Sequence, residues 1–187
     1  GCTLLLFAGW ELIIIGALCV LFAFLYTTGP YPLSYNGWGD VLVIIFFGFV
    51  PVGGTYYVQA LTWTPDVTIA SIICGLVIDT LLVVNNYRDR EADARSGKRT
   101  VIVRFGEKFG RYFYLLLGIS ASLLCLYFLR EGHIYAALLP QLYLVPHVLT
   151  WRRMVKIHSG KKLNSILGET SRNMLFMGVL IAIGMLV

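Results

Sequence analysis

Asn85, Asp89 and Asp93 recur every four residues inside a dense charged block, Asn85 to Thr100, that begins where a long apolar stretch ends. If the helix continues past Val84, the three stack on one face with neighbouring side chains about 5 to 6 Å apart. Two carboxylates at that spacing repel unless a cation sits between them. A hard divalent ion that keeps its waters and binds through one or two carboxylates plus substrate phosphates suits the spacing, and Mg²⁺ is the usual such ion. The spacing alone also describes a solvated helix end whose acids and arginines pair with each other, Glu91 with Arg95 for instance.

The elements that must position this block are membrane helices. Apolar residues make up 58% of the 187-residue chain, charged residues 13%, and long apolar runs recur with short polar breaks that a soluble domain of this size could not bury. Span length and flanking polarity predict six crossings, near Trp10 to Tyr26, Asp40 to Leu61, Val67 to Asn86, Arg111 to Leu129, Ile134 to Trp151, and Ser171 to Val187. Residues 1–9 read as the tail of a preceding span. The chain opens Gly-Cys-Thr with no signal-peptide pattern, so it is expected to start partway through a longer protein. Pro51, Gly53 and Gly54 predict a kink in the second span.

Of the 15 Lys and Arg residues, eight fall between Arg88 and Arg111, six between Arg152 and Arg172, and only Arg130 lies elsewhere. Two intervening spans put both basic loops on one face, which the positive-inside rule makes cytoplasmic. The Gly29 to Gly39 loop joins them there, and the turns at Thr62 to Asp66 and Arg130 to His133 face the other side. The net charge of +5 does not point to nucleic acid, because the cations sit against apolar helices without interleaved stacking aromatics. Membrane lipid and an anionic substrate are the expected partners. The loop from Arg152 to Gly168 reads as lying on the inner leaflet. The four cysteines are scattered singly through apolar spans and read as small hydrophobes. The three histidines have no partners at ligand spacing. Asp79, inside the third span, is an intramembrane acid and so a functional candidate, with a hydrogen bond to a neighbouring helix as the other explanation.

The run NNYRDREADARSGKRT resembles the second aspartate-rich motif of the UbiA superfamily of intramembrane prenyltransferases. Its Asn-Asn-x-Arg-Asp form, with Gly-Lys-x-Thr shortly after, resembles the menaquinone branch, the 1,4-dihydroxy-2-naphthoate prenyltransferases. Tyr26 to Tyr35, reading YTTGPYPLSY, resembles that branch's loop between its fourth and fifth helices. In relatives that prenylate 4-hydroxybenzoate a Lys-Arg pair follows; Tyr35 and Asn36 stand here, against that acceptor.

The resemblance implies an all-α, polytopic transmembrane bundle, about six of the family's nine helices, forming one N-terminally truncated prenyltransferase domain over residues 1–187. It implies Mg²⁺ held by Asp89, Asp93 and Asn85, and substrate contacts from Asn85, Asn86, Arg88, Lys98, Arg99, Tyr31 and Tyr35. The reaction implied joins a polyprenyl diphosphate to 1,4-dihydroxy-2-naphthoate with loss of CO₂, in the cell (inner) membrane, with the active site facing the cytoplasm. Metal ions and preorganised cations would neutralise the departing pyrophosphate, while tyrosines, with Tyr56, Tyr57 and Tyr87 as further candidates, would line a dry cavity for the carbocation. The family's first aspartate motif, N-x-x-x-D-x-x-x-D, has no counterpart in residues 1–84, so half of a two-motif metal site is expected in this chain. The alternatives are another aromatic acceptor or, outside enzymes, a membrane carrier.

Overall fold

The computed structural model describes residues 9–187. The span tail expected over residues 1–9 therefore lies, except for Gly9, outside the described residues. Among those described the chain is all helix and turn, without a strand. Seven α-helical elements follow in order: α1 (Glu11–Thr27), α2 (Gly39–Ala60), α3 (Pro65–Arg95), α4 (Val101–Leu124), α5 (Ile134–Leu138), α6 (Leu144–Ile157) and α7 (Asn164–Leu186). Helix α2, α3, α4 with its 3₁₀ extension to Leu129, and α7 with its preceding turn are each long and apolar enough to cross a membrane, and α1 is a shorter apolar helix. The chain is thus a multi-pass helical membrane protein.

Five of the six expected spans coincide with single helical elements. The fifth does not: Ile134 to Trp151 is divided into α5, a 3₁₀ stretch over Leu139–Tyr143, and α6. Pro140 and Pro146 explain the division, since each removes a backbone donor and crowds the preceding turn. The kink expected at Pro51 takes a different form. Residues Ile44–Gly53 wind as π-helix, whose wider turns take up the missing donor, and the helix runs on through Gly54.

Helix α3 is the centre of the bundle, packed against α2, α4 and α7. Thr64 caps its start, accepting from the Val67 amide at 3.4 Å, and Pro65 occupies the first turn, where no donor is needed. Small residues let its neighbours approach closely, as is usual where lipid supplies no hydrophobic drive between helices. A Cβ on Gly75 would sit 2.9 Å from the Ile44 Cα, and one on Gly48 would collide with the Ser71 carbonyl.

Two buried clusters stack along α3. The first joins Ile73 and Val77 to Ala121, Phe128, Tyr143 and Met177; the second joins Val83, Val84 and Tyr87 to Ile102, Tyr114, Met154 and Ile166. Polar groups inside are mostly paired: across helices, His147 Nε2 with the Leu115 carbonyl at 3.3 Å, Tyr114 with Thr170 at 3.0 Å and Asn173 with Thr150 at 2.9 Å, and within one segment Tyr143 with His147 Nδ1 at 3.0 Å. His147 is therefore a packing residue. Large apolar side chains such as Phe24, Leu116, Leu123 and Leu175 remain exposed, as a lipid-facing surface requires.

The ends of the bundle sort as the charge pattern requires. The Arg99 amide donates to the Tyr35 carbonyl at 2.6 Å and Arg104 donates to the Asn36 carbonyl at 2.7 Å, so the Gly29 to Gly39 loop and the first basic loop share one end.

Candidate functional site

At that end a polar cavity of about 390 Å³ opens between α1, α2 and α3. Helix α3 does not stop at the end of the apolar run but continues to Arg95, carrying Asn85, Asn86, Asp89 and Asp93 into the cavity wall. A left-handed Gly97, with φ of +79°, then turns the chain back, and the Lys98 amide donates to the Asp93 carbonyl at 2.9 Å. That reversal brings Lys98 over its own helix end. Its Nζ lies 3.1 Å from Asp93 Oδ1 and 5.2 Å from the centroid of the Tyr35 ring. The hydrogen bond to Asp93 holds the Lys98 ammonium above the usual lysine range.

Arg88 lies beside the cavity and is fully engaged. Its guanidinium grips both oxygens of Asp89, at 2.8 and 2.6 Å, and also donates to Asn85 at 2.8 Å and to Asn164 of α7 at 3.0 Å. It therefore fixes the orientation of two cavity residues and ties α7 to them. Arg99 is exposed, and only its backbone takes part, through the bond to Tyr35. Tyr35 lines the cavity, whereas Tyr31 is 57% exposed and lies outside it.

Two other expected tyrosines go elsewhere. Tyr56 borders a separate apolar groove along α2. Tyr87 is wholly buried on the far side of α3, where its phenol donates to Glu107 at 3.0 Å and accepts from Arg111 at 3.0 Å while Arg90 lies 4.5 Å over its ring. A one-residue step from Asn86 turns a helical side chain by about 100°, enough to carry Tyr87 out of the cavity. Glu91 and Arg95 do not form the ion pair that the alternative reading expected; Arg88 pairs with Asp89 and Lys98 with Asp93.

Tyr26, Thr27, Ser34 and Asp40 also line the cavity. Sequence reasoning missed them, taking Asp40 only as a span boundary. A signal existed in the rule that an acid inside an apolar span is a functional candidate, which applies to Asp40 as it does to Asp79. Asp79 is fully buried and not part of the wall. Among the described residues neither of its oxygens has a hydrogen-bond partner, so no bond to a neighbouring described helix accounts for it.

The oxygen donors Asn85, Asp89 and Asp93 are those a hard cation prefers. Among the described residues, no three acidic, histidine or cysteine side chains gather closely enough to hold a metal by themselves. The donor set therefore fits an ion that takes one or two protein oxygens and completes its shell with water and phosphate.

The described residues thus form a multi-pass helical bundle whose basic end holds an acid-lined polar cavity with a lysine over it. The chain belongs to the UbiA prenyltransferase family, which it matches over residues 1–184. Over 124 residues it is 40% identical to a 1,4-dihydroxy-2-naphthoate octaprenyltransferase of Escherichia coli (strain K12), covering 66% of this chain and 39% of that protein. A protein of the same description from Mycobacterium leprae is 38% identical over 124 residues, 66% of this chain and 42% of its own length. The UbiA prenyltransferase domain-containing protein 1 of Dictyostelium discoideum is 30% identical over 172 residues, 92% of this chain and 51% of its own. The chain thus spans about four-tenths to one-half of the length of these relatives. No solved structure matches.

Proposed function

We propose that this chain is part of an enzyme that transfers a polyprenyl group from its diphosphate to 1,4-dihydroxy-2-naphthoate, with release of CO₂ and diphosphate. The observation that carries the reading is the shared cavity of Asn85, Asp89, Asp93 and Lys98, at the mouth of an apolar bundle. The identity to naphthoate octaprenyltransferases supports the acceptor.

In this reading Lys98 reaches from its bond with Asp93 to the diphosphate oxygens, where a fixed cation favours departure of the leaving group. Arg88 keeps Asp89 and Asn85 facing the mouth. Divalent-metal dependence is general in the family; here Asp89, Asp93 and Asn85 would hold Mg²⁺, which when bound supplies neutralising charge to the phosphates. The apolar bundle around the mouth keeps water from the reacting carbon. The basic end faces the cytoplasm, by the bias of lysine and arginine, and the membrane is the cell (inner) membrane.

The test is prenyl transfer in membranes carrying the full-length parent protein, supplied with polyprenyl diphosphate and Mg²⁺ and offered naphthoate or 4-hydroxybenzoate. Product forms from the naphthoate, requires the metal, and falls by about 100-fold or more in Asp89→Asn. Product from 4-hydroxybenzoate alone, or from neither acceptor in folded protein, overturns the reading.

A further inference from the structure

We propose that Asp40 positions the aromatic acceptor, accepting a hydrogen bond from a ring hydroxyl of a dihydroxyaromatic substrate within the polar cavity. The assignment rests on the function proposed above and adds the group that recognises the acceptor.

Asp40 stands in the first turn of α2, contributes to the cavity wall, and is 7% exposed. Among the described residues its Oδ1 has no hydrogen-bond partner, and no lysine, arginine or histidine forms an ion pair with it. Asp79 of α3, fully buried, likewise has no hydrogen-bond partner among the described residues. A buried carboxylate is normally paired or fully hydrogen-bonded, because desolvation is otherwise uncompensated. Elsewhere in the cavity that rule is obeyed: Asp89 is gripped by Arg88 and Asp93 by Lys98. Asp40 departs from it at a wall that a ligand can reach.

The chemistry of the wall narrows the ligand. A phosphate would be repelled by an unpaired carboxylate, and the cations that suit phosphate stand with Asp89 and Asp93 instead. What a carboxylate seeks is a donor, and a phenolic hydroxyl supplies one. Tyr26 and Tyr35 line the same space and offer faces and edges to a ring. The volume of about 390 Å³ is within the range of small-molecule sites. The cavity therefore has two functions in one volume, a cation-flanked part for the diphosphate and a carboxylate with aromatic walls for the diol.

The experiment measures the KM for each substrate separately in membranes with the full-length parent, for wild type, Asp40→Asn and Asp40→Glu. The acceptors are 1,4-dihydroxy-2-naphthoate and its two mono-O-methyl ethers. Asp40→Asn is expected to raise the acceptor KM about 10- to 100-fold while the polyprenyl diphosphate KM holds, the scale of one hydrogen bond to a charged group. In wild type, methylating the bonded hydroxyl carries a penalty that shrinks in Asp40→Asn, whose neutral amide oxygen is a weaker acceptor than the carboxylate.

An unchanged acceptor KM, or a rise in the donor KM instead, overturns the assignment. If Asp40→Asn does not fold, the wild-type ether series decides, since equal use of both ethers and the diol also overturns it. Wild type that prenylates none of the acceptors sinks the proposed function itself, an outcome distinct from an active enzyme indifferent to Asp40.

Discussion

On one side of α3, Asn85, Asp89 and Asp93 face a cavity; on the other, Tyr87 and Arg90 are tied into a knot with Glu107, Arg111 and His158. Both groups lie within the same two turns, at the same end of the bundle, and both are dense in charge. In the knot, Glu107 accepts from the Tyr87 phenol at 3.0 Å, from Arg90 at 3.3 Å, from Arg111, and lies 2.6 Å from His158. The Trp151 indole closes it by donating to the Arg111 carbonyl at 2.9 Å, which joins α6 to α4. On the cavity side a cation flanks each α3 acid, yet the side chains still border open volume. Charge that satisfies itself holds helices together, and charge that borders a cavity awaits a ligand.

The widest separation between the two sides is expected from Glu107→Gln set against Asp89→Asn. Removing the Glu107 charge leaves Arg90 and Arg111 around a neutral group and should destabilise the protein by about 2 kcal/mol, read as a thermal shift in detergent, with KM for both substrates unchanged. Asp89→Asn should do the reverse, abolishing turnover with little change in melting temperature. Equal loss of activity in both would erase the distinction.

A narrower pair is Lys98→Met and Tyr87→Phe. The first should raise the KM for polyprenyl diphosphate about tenfold, since one charge-assisted contact is lost. The second removes a single phenol bond on the closed side and should cost about 1 kcal/mol of stability with the donor KM unmoved.

The smallest effect concerns pH. Because the hydrogen bond to Asp93 raises the Lys98 pKa in the folded state, the stability this pair contributes is fully present below the unfolded lysine value of about 10.4 and is lost as pH rises through the folded value. The difference in melting temperature between wild type and Lys98→Met should therefore be flat from about pH 7 to 9 and shrink only above about pH 10.4. With the Lys98 side chain 33% exposed, solvent screening keeps this contribution small.

The face shared by Asn85, Asp89 and Asp93 was legible because a four-residue repeat constrains a helix wherever that helix lies. The helix's continuation past Val84, the shared end of the loops, and Lys98 beside the acids followed from local chain direction and charge. Asp40 and Tyr26 were not legible as cavity residues, because a sequence states which face a side chain occupies but not which helix stands opposite. Tyr87 misled for the same reason: its neighbours Asn86 and Arg88 belong to the cavity region, while its own direction is set by packing against α4. The division of the fifth span was foreshadowed by Pro140 and Pro146, which the hydropathy window averaged away.

Helix α3 has 31 residues and so runs about 46 Å at 1.5 Å per residue, some 16 Å more than the hydrocarbon layer it crosses. It acts as a ruler set against the bilayer, its apolar length immersed and its last two to three turns standing clear. The acids near its end are thereby held at the height of the lipid headgroups, the level at which an amphiphile with a phosphate head and an isoprenoid tail already rests. The polyprenyl diphosphate proposed as substrate would then need neither lifting from the membrane nor dragging into it. Bilayer thickness then becomes a variable of the enzyme, since each ångström added to the lipid draws Asp89 and Asp93 toward oil at a cost of a fraction of a kcal/mol.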